Sequence, residues 1–222
     1  TSSLALGGLI IGFISLALFA AWELKQDNPL LDVRTFKNRG LSTGSLTIML
    51  VFAVMFGVFL VLFPFFQAVL GWSALRSASA ILPMAVMMMP MSTVAPKIAK
   101  KIGSKKTIMT GLALTTAGLI TLAISASVEG GYLSVLPGLM ILGLGMGLTM
   151  TPSTEAITES LPADKQGVAS ALNDTTREIG GAIGVALLGA IVTSGYKTSI
   201  EPKLGGVPSE IAKQASEGIG NA

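Results

Sequence analysis

Residues 42–66 read STGSLTIMLVFAVMFGVFLVLFPFF, a stretch without one charged side chain. An α-helix needs roughly 20 apolar residues to cross a hydrocarbon core about 30 Å thick, and a bilayer offers unpaired backbone groups no water. This stretch therefore reads as a transmembrane helix. The whole composition agrees with it: of 222 residues 51% are hydrophobic and 12% charged, with a mean hydropathy of +0.72. Soluble domains carry about 25% charged residues. The chain is expected to be an all-α polytopic membrane protein.

Working outward, further apolar runs appear on both sides. Upstream, residues 4–22 form a first span that ends on Trp22, an interfacial aromatic. The polar linker 23–40 follows, with Lys25, Arg34, Lys37 and Arg39, an Asn28-Pro29 turn signal, and an amphipathic set (Leu30, Leu31, Val33, Phe36) suited to the membrane surface. Downstream, a loop over 67–73 leads to a third span, 74–95, containing Pro83 and Pro90. Residues 96–106 read as a loop, and a fourth span covers 107–128. After Glu129-Gly130-Gly131, a fifth span covers 132–151 and opens on Tyr132. A sixth helix runs from about Asp164 to Ser194, amphipathic first and apolar from Ile179 to Val192. The tail after Tyr196 is polar. Residue 1 is Thr, without a basic leader segment, so the chain is expected to be a piece of a longer one.

Cysteine and histidine are both absent. Thiol nucleophiles, disulfides, Cys/His metal sites, haem histidines and Ser-His-Asp arrangements are thereby excluded, and with them most enzyme chemistry. A carboxylate or Ser/Lys mechanism near Ser153 to Glu155 is the little that remains. The net charge of +3 and pI near 9.3 do not point to nucleic acid, because the basic residues sit between apolar runs and not in a stripe with aromatics. They act as topology signals. Segment 96–106 carries Lys97, Lys100, Lys101, Lys105 and Lys106 and no acid. Placing it in the cytoplasm also places 23–39 and 153–165 there, while 67–73 and 129–131, which lack Lys and Arg, fall outside.

Glycines recur four residues apart at Gly8/Gly12, Gly143/Gly147 and Gly180/Gly184. Inside a membrane span such spacing means close helix packing, with a gliding surface between moving bundles as its functional version. It does not fit a dinucleotide fingerprint, which requires a preceding strand. In the sixth helix Asn173, Arg177, Gly180, Gly181, Gly184 and Leu188 share one face, flanked by Asp174 and Glu178. Polar groups so close to the bilayer either pair, Arg177 with Asp174 at three residues' spacing, or protrude and are solvated. Phe52, Phe56, Phe59 and Phe63 form one stripe with Gln67 beyond it. That stripe packs against helices or lipid, or it lines a cavity for flat lipophilic cations. Met84, Met87, Met88, Met89 and Met91 either fill gaps beside the prolines or offer adaptable surface.

Several of these segments resemble one family. The basic loop is similar to the Gly-x-x-x-Asp-Arg-x-Gly-Arg-Arg loop of the major facilitator superfamily, with Pro96 at the first Gly, Lys100 at the Asp, Lys101 at the Arg and Gly103 at the second Gly, followed by Lys105 and Lys106. The acid is lost, so an acid-dependent gating role does not carry over to Lys100. Residues 169–190, AS-x-x-N-x-x-R-x-x-GG-x-x-GVA-x-x-GA, are similar to the penultimate helix of the fourteen-span drug:proton antiporters of the EmrB/QacA type. Residues 28–36, NPLLDVRTF, resemble that group's linker after span eight, and Phe66-Gln67-x3-Gly71-x4-Arg76-x5-Leu82-Pro83 its junction of spans nine and ten.

The resemblance implies spans eight to thirteen: residues 1–22 as the eighth span, 23–41 as cytoplasmic linker, 42–195 as five spans of a C-terminal bundle, and 196–222 as the external loop before a last span. It implies proton-coupled efflux of lipophilic or cationic compounds by alternating access in the bacterial cytoplasmic membrane, with the N-terminal half as partner and the proton gradient in place of a cofactor. It places the second and fifth spans at the central cavity, so that Phe52, Phe56, Phe59, Phe63, Gln67, Met146 and Met150 become cavity candidates. Asp174, Arg177, Glu178 and Asn173 become gating candidates, with Glu155 as a further local acid. The second, third and fourth spans hold no acid, which points to a coupling carboxylate elsewhere in the protein. The competing reading is a polytopic scaffold without transport of its own.

Overall fold

A computed structural model of the chain describes residues 3–26, 29 and 33–200. Seven α-helices account for most of them: α1 (Ser3–Glu23), α2 (Arg39–Pro64), α3 (Ala74–Ser79), α4 (Leu82–Ile102), α5 (Ser104–Ser125), α6 (Gly131–Glu159) and α7 (Gln166–Ile200). Short 3-10 turns lie at Val33–Lys37 and Ala163–Lys165, and a π-turn at Phe65–Val69 prolongs α2. Five helical segments are long and apolar enough to cross a membrane: Arg39–Val69, Ala74–Ile102, Ser104–Ser125, Gly131–Glu159 and Ala163–Ile200. With α1, an apolar helix of 21 residues, they make an all-α integral membrane protein.

Helix α6 is the hub, packed on α5, α4 and α2, and α2 in turn carries α7. Glycine decides how close these helices come. A Cβ at Gly143 would collide with the Met84 carbonyl oxygen, and one at Gly147 would stand 2.5 Å from that of Met88, so α6 lies backbone to backbone along α4. The α2–α7 seam is built the same way, with Gly180 against the Met49 carbonyl and Gly184 against that of Ala53. The paired numbers rise together along both seams, so each pair runs parallel. They run oppositely where Gly44 of α2 meets Ser153 of α6. This is the alternation of direction that successive spans require.

Two apolar clusters fill the bundle. One gathers Val51, Phe66, Val135, Leu139, Leu142 and Met146, and the other Leu41, Ile48, Ile157, Leu161, Ala169 and Leu172. Gly8 and Gly12 of α1, by contrast, meet nothing within 4 Å, and Phe13 is 76% exposed. The small-residue spacing thus marks packing within this chain at two of its three places.

Several boundaries differ from those expected. The basic segment 96–106 is not a loop: α4 continues through Pro96 to Ile102, and α5 begins at Ser104, leaving Gly103 as the whole turn. Gly103 has φ +90°, a conformation that favours glycine, and its N–H donates to the Ala99 carbonyl at 2.8 Å. Lys100 and Lys101 in the last turn of α4 face the negative end of the helix dipole, which favours continued helix.

The expected third span is broken. Pro83 lacks the N–H that would continue the helix, so α3 stops at Ser79 and Pro83 opens α4 near its N-terminus. The carbonyl of Ala80 in this break accepts from the Tyr132 hydroxyl at 2.9 Å. Further along, Pro96 frees the Ser92 carbonyl, and Thr151 of α6 donates to it at 3.2 Å.

The segment 153–165, expected as a loop, is helical as far as Glu159, because fully buried Ile157 anchors it and Thr158 donates back to the Thr154 carbonyl. Gln166 of α7 caps the end of α6 by donating to the carbonyls of Thr158 and Leu161 at 3.0 and 3.1 Å. Helix α7 outlasts the expected Ser194 and reaches Ile200. Of the surface set, Phe36 turns inward onto the second cluster, whereas Asn28, Leu30, Leu31 and the tail 201–222 lie outside the described residues.

Two outcomes follow from this architecture. Gly184→Val forces side-chain carbons into the α2 backbone, and an overpacked seam costs about 1–3 kcal/mol; the full-length protein should then give a reduced monodisperse peak on size exclusion after detergent extraction. This chain contains no cysteine, so an introduced one reports its own position once any cysteine elsewhere in the full-length protein is replaced. Ser104→Cys should react with a membrane-impermeant maleimide only in inverted vesicles, and Glu129→Cys in intact cells; the reverse pattern would invert the orientation.

Candidate substrate and gating site

The polar face of α7 enters the bundle one turn at a time. Asn173 is 6% exposed and its Oδ1 has no hydrogen-bond partner among the described residues; Thr176, also buried, donates to the Leu172 carbonyl at 2.7 Å. Arg177 comes next. Its Nη1 lies 3.9 Å from Asp174 Oδ1, and its guanidinium sits over the Phe52 ring with the carbon 5.3 Å from the centroid, within cation–π range. The Arg177 side chain is 32% exposed, and its Nε is buried without a partner. Asp174 is 68% exposed and Glu178 is exposed, so both acids lie towards the outside of the helix.

The structure therefore brings Arg177, Asp174 and Phe52 together, buries Asn173 one turn away and leaves Glu178 apart. Across α2 and α6 lie two more buried hydroxyls without partners, Ser45 Oγ and Ser153 Oγ. The backbone contact of Gly44 with Ser153 sets them in register.

A cleft of about 280 Å³ opens between α4, α6 and α7, lined by Met88, Ser92, Met150, Thr151, Thr154, Glu155, Thr158 and Arg177. Of the candidates, Met150, Arg177 and Glu155 reach it. Met146 does not: it is fully buried in the larger cluster, together with Phe66 and Leu142. A second cavity, about 320 Å³, lies between α2, α5 and α7 and is walled by Gly57, Val58, Leu62, Leu119, Leu122 and Leu188, an apolar set without a charged group.

The phenylalanine stripe lines neither cavity. Phe52 and Phe56 pair at 6.4 Å beside α7, where Phe56 covers Gly181, and Phe59 and Phe63 pair edge-to-face at 6.0 Å. Gln67 is exposed. Lys100, Lys101, Lys105 and Lys106 are exposed around the Gly103 turn, a cluster of positive charge at one end of α4 and α5.

Reading residues 153–165 as a loop hid the far wall of the cleft. Thr151, Thr154, Glu155 and Thr158 are spaced as one helical face, and Met88 and Ser92 face them from α4 at four residues' spacing. Period 3.6 continued past Pro152 would have found them. An aromatic cluster at the opposite end was also missed: Phe66 stacks on Trp72 at 5.5 Å, Trp72 meets Tyr132 at 5.5 Å, and the Arg76 guanidinium lies 4.0 Å from the Trp72 centroid.

Residues 2–185 match the family described as Major Facilitator Superfamily. The chain belongs to that superfamily. Among its relatives, the Multidrug resistance protein B homolog of Mycobacterium tuberculosis (strain H37Rv) is 32% identical over 196 residues, 86% of this chain and 36% of that protein. The Multidrug efflux pump LfrA of Mycolicibacterium smegmatis is 29% identical over 221 residues, covering 100% of this chain and 44% of the pump. The Quinolone resistance protein NorB of Staphylococcus aureus (strain MRSA252) is 33% identical over 192 residues, covering 86% and 41%. The chain thus spans less than half the length of these relatives.

The stacked guanidinium gives a direct outcome. Phe52→Leu removes the ring beneath Arg177 and with it about 0.5–1 kcal/mol of cation–π attraction. The full-length variant should melt below the parent, and Phe52→Tyr, which keeps the ring, should melt close to it.

Proposed function

We propose that this chain is part of the C-terminal bundle of a proton-coupled multidrug efflux antiporter of the bacterial cytoplasmic membrane, corresponding to spans eight to thirteen of a fourteen-span protein. Residues 1–22 serve as the eighth span, 23–41 as cytoplasmic linker and 42–195 as five spans of the bundle, with 196–222 as external loop. Export of lipophilic or cationic compounds proceeds by alternating access, the bundle rocking against the N-terminal half around a site near the midplane. The observation that carries this reading is the cleft between α4, α6 and α7, where Arg177, Glu155 and four hydroxyl side chains line the same space as the Met88 and Met150 thioethers. An adaptable wall of Met88 and Met150 beside few fixed polar groups suits a site that accepts many substrates. The names of the relatives, multidrug and quinolone resistance proteins among them, support the same substrate class.

Within this frame Asp174 and Arg177 form an ion pair that opens during the cycle. The pair is long at 3.9 Å and Asp174 is 68% exposed on this chain, as a bond that must break at low cost would be. No acid sits in α2, α4 or α5, so the main coupling carboxylate is assigned to the N-terminal half.

Export of a fluorescent lipophilic cation from cells that express the complete protein should collapse when a protonophore dissipates the gradient. Asp174→Asn should slow that export roughly two- to fivefold, the effect of an exposed pair worth about 0.5–1 kcal/mol. Full coupled transport by Asp174→Asn would remove the pair from the mechanism, and export indifferent to the protonophore would remove proton coupling.

A further inference from the structure

We infer that the cleft between α4, α6 and α7 is built for amphiphiles that carry a carboxylate beside a flat cationic ring system, with Arg177 as the anchor for the acid. The inference deepens the transport reading and rests on it. Its starting point is an arginine with unused capacity. The guanidinium has five donors, yet its ionic neighbour Asp174 stands at 3.9 Å, beyond the 2.7–2.9 Å of a charge-assisted hydrogen bond, and Nε is buried with nothing to donate to. Asp174 itself is 68% exposed, so its carboxylate is not held against the guanidinium by packing when another anion arrives. Phe52 holds the guanidinium plane from one side, which orients the donor fork without consuming any of its N–H groups.

The rest of the wall sharpens the assignment. Three of the four hydroxyls on the wall have already committed their protons: Ser92 donates to the Met88 carbonyl at 2.9 Å, Thr151 to the Ser92 carbonyl at 3.2 Å, and Thr158 to the Thr154 and Glu155 carbonyls at 3.2 and 3.0 Å. An anion in the cleft therefore finds its charged donors on Arg177, with the Thr154 hydroxyl as a neutral one. A positive centre finds the carboxylate of Glu155, which shares the lining with the Met88 and Met150 thioethers that a ring would cover. At about 280 Å³ the cleft is near the lower end of ligand pockets, enough for the charged end and one ring, with the remainder of the molecule reaching beyond this chain. A permanently cationic drug without an acid would use Glu155 and the methionines alone.

Two dyes that differ in a single ester test this. Rhodamine 110 carries a free benzoate on a cationic xanthylium, and rhodamine 123 is its methyl ester. Their binding to the purified full-length transporter is read by fluorescence anisotropy. Arg177→Gln should weaken rhodamine 110 about tenfold and rhodamine 123 less than twofold, as loss of hydrogen bonds between charged groups requires. Glu155→Gln should weaken both dyes. If Arg177→Gln cannot be purified, Arg177→Lys supplies the same readout, because a point charge in place of the fork lowers only the preference for the acid dye.

Equal loss of both dyes in the Arg177 variants would reduce Arg177 to a structural role and overturn the inference. So would unchanged binding of rhodamine 110, or failure of the parent protein to bind either dye. The two readings separate cleanly. Arg177-dependent binding of rhodamine 110 without export of either dye from energised cells keeps the site and discards transport. Export of rhodamine 123 with Arg177-independent binding of rhodamine 110 keeps transport and discards the site.

Discussion

Helices in lipid gain nothing by hiding apolar surface from a solvent that is equally apolar, so contact must come from close packing and from hydrogen bonds. In this chain that constraint is met at the glycine seams. Gly143 and Gly147 let α6 lie on the carbonyls of Met84 and Met88, and Gly180 and Gly184 let α7 lie on those of Met49 and Ala53. Both seams join parallel helices, and α2 and α6 cross between them at Gly44. The clusters around Met146 and Ile157 fill much of what these approaches leave, and the cleft beside Arg177 is one of the spaces that remain among the described residues.

Much of this was legible in the residues. Charge-free runs marked the spans, the lysines around Gly103 marked one membrane face, and the motif from Ala169 to Ala190 led to the superfamily that residues 2–185 match. What hydropathy could not see was where helices end outside the apolar core. Lysine and threonine lower an apolar average yet form helix well or tolerably, so 96–102 and 153–159 read as loops and are helical. That error concealed the candidate site, because Thr154, Glu155 and Thr158 acquire a common face only on a helix. The pairing of Arg177 with Phe52 was equally hidden, since 125 positions separate the partners and only the α2–α7 seam brings them together.

The aromatic residues show how one signal divides into several uses. Phe52 orients a guanidinium, Phe56 covers Gly181, and Phe59 and Phe63 pair with each other. Phe66, outside the stripe, joins Trp72 and Tyr132 where α2, α3, α4 and α6 meet. A single helical stripe therefore need not share a single surface role.

Proline in a membrane helix is commonly read as a joint. At Pro96 the carbonyl left free on Ser92 is taken by Thr151 of the neighbouring helix, four residues beyond the contact of Gly147 with Met88. The imperfection in α4 is thus a rivet: it ties α4 to α6 where a plain helix would have offered no acceptor. A bundle fastened in this way is braced at its proline, so the bend in α4 is a point of attachment and not a loose joint.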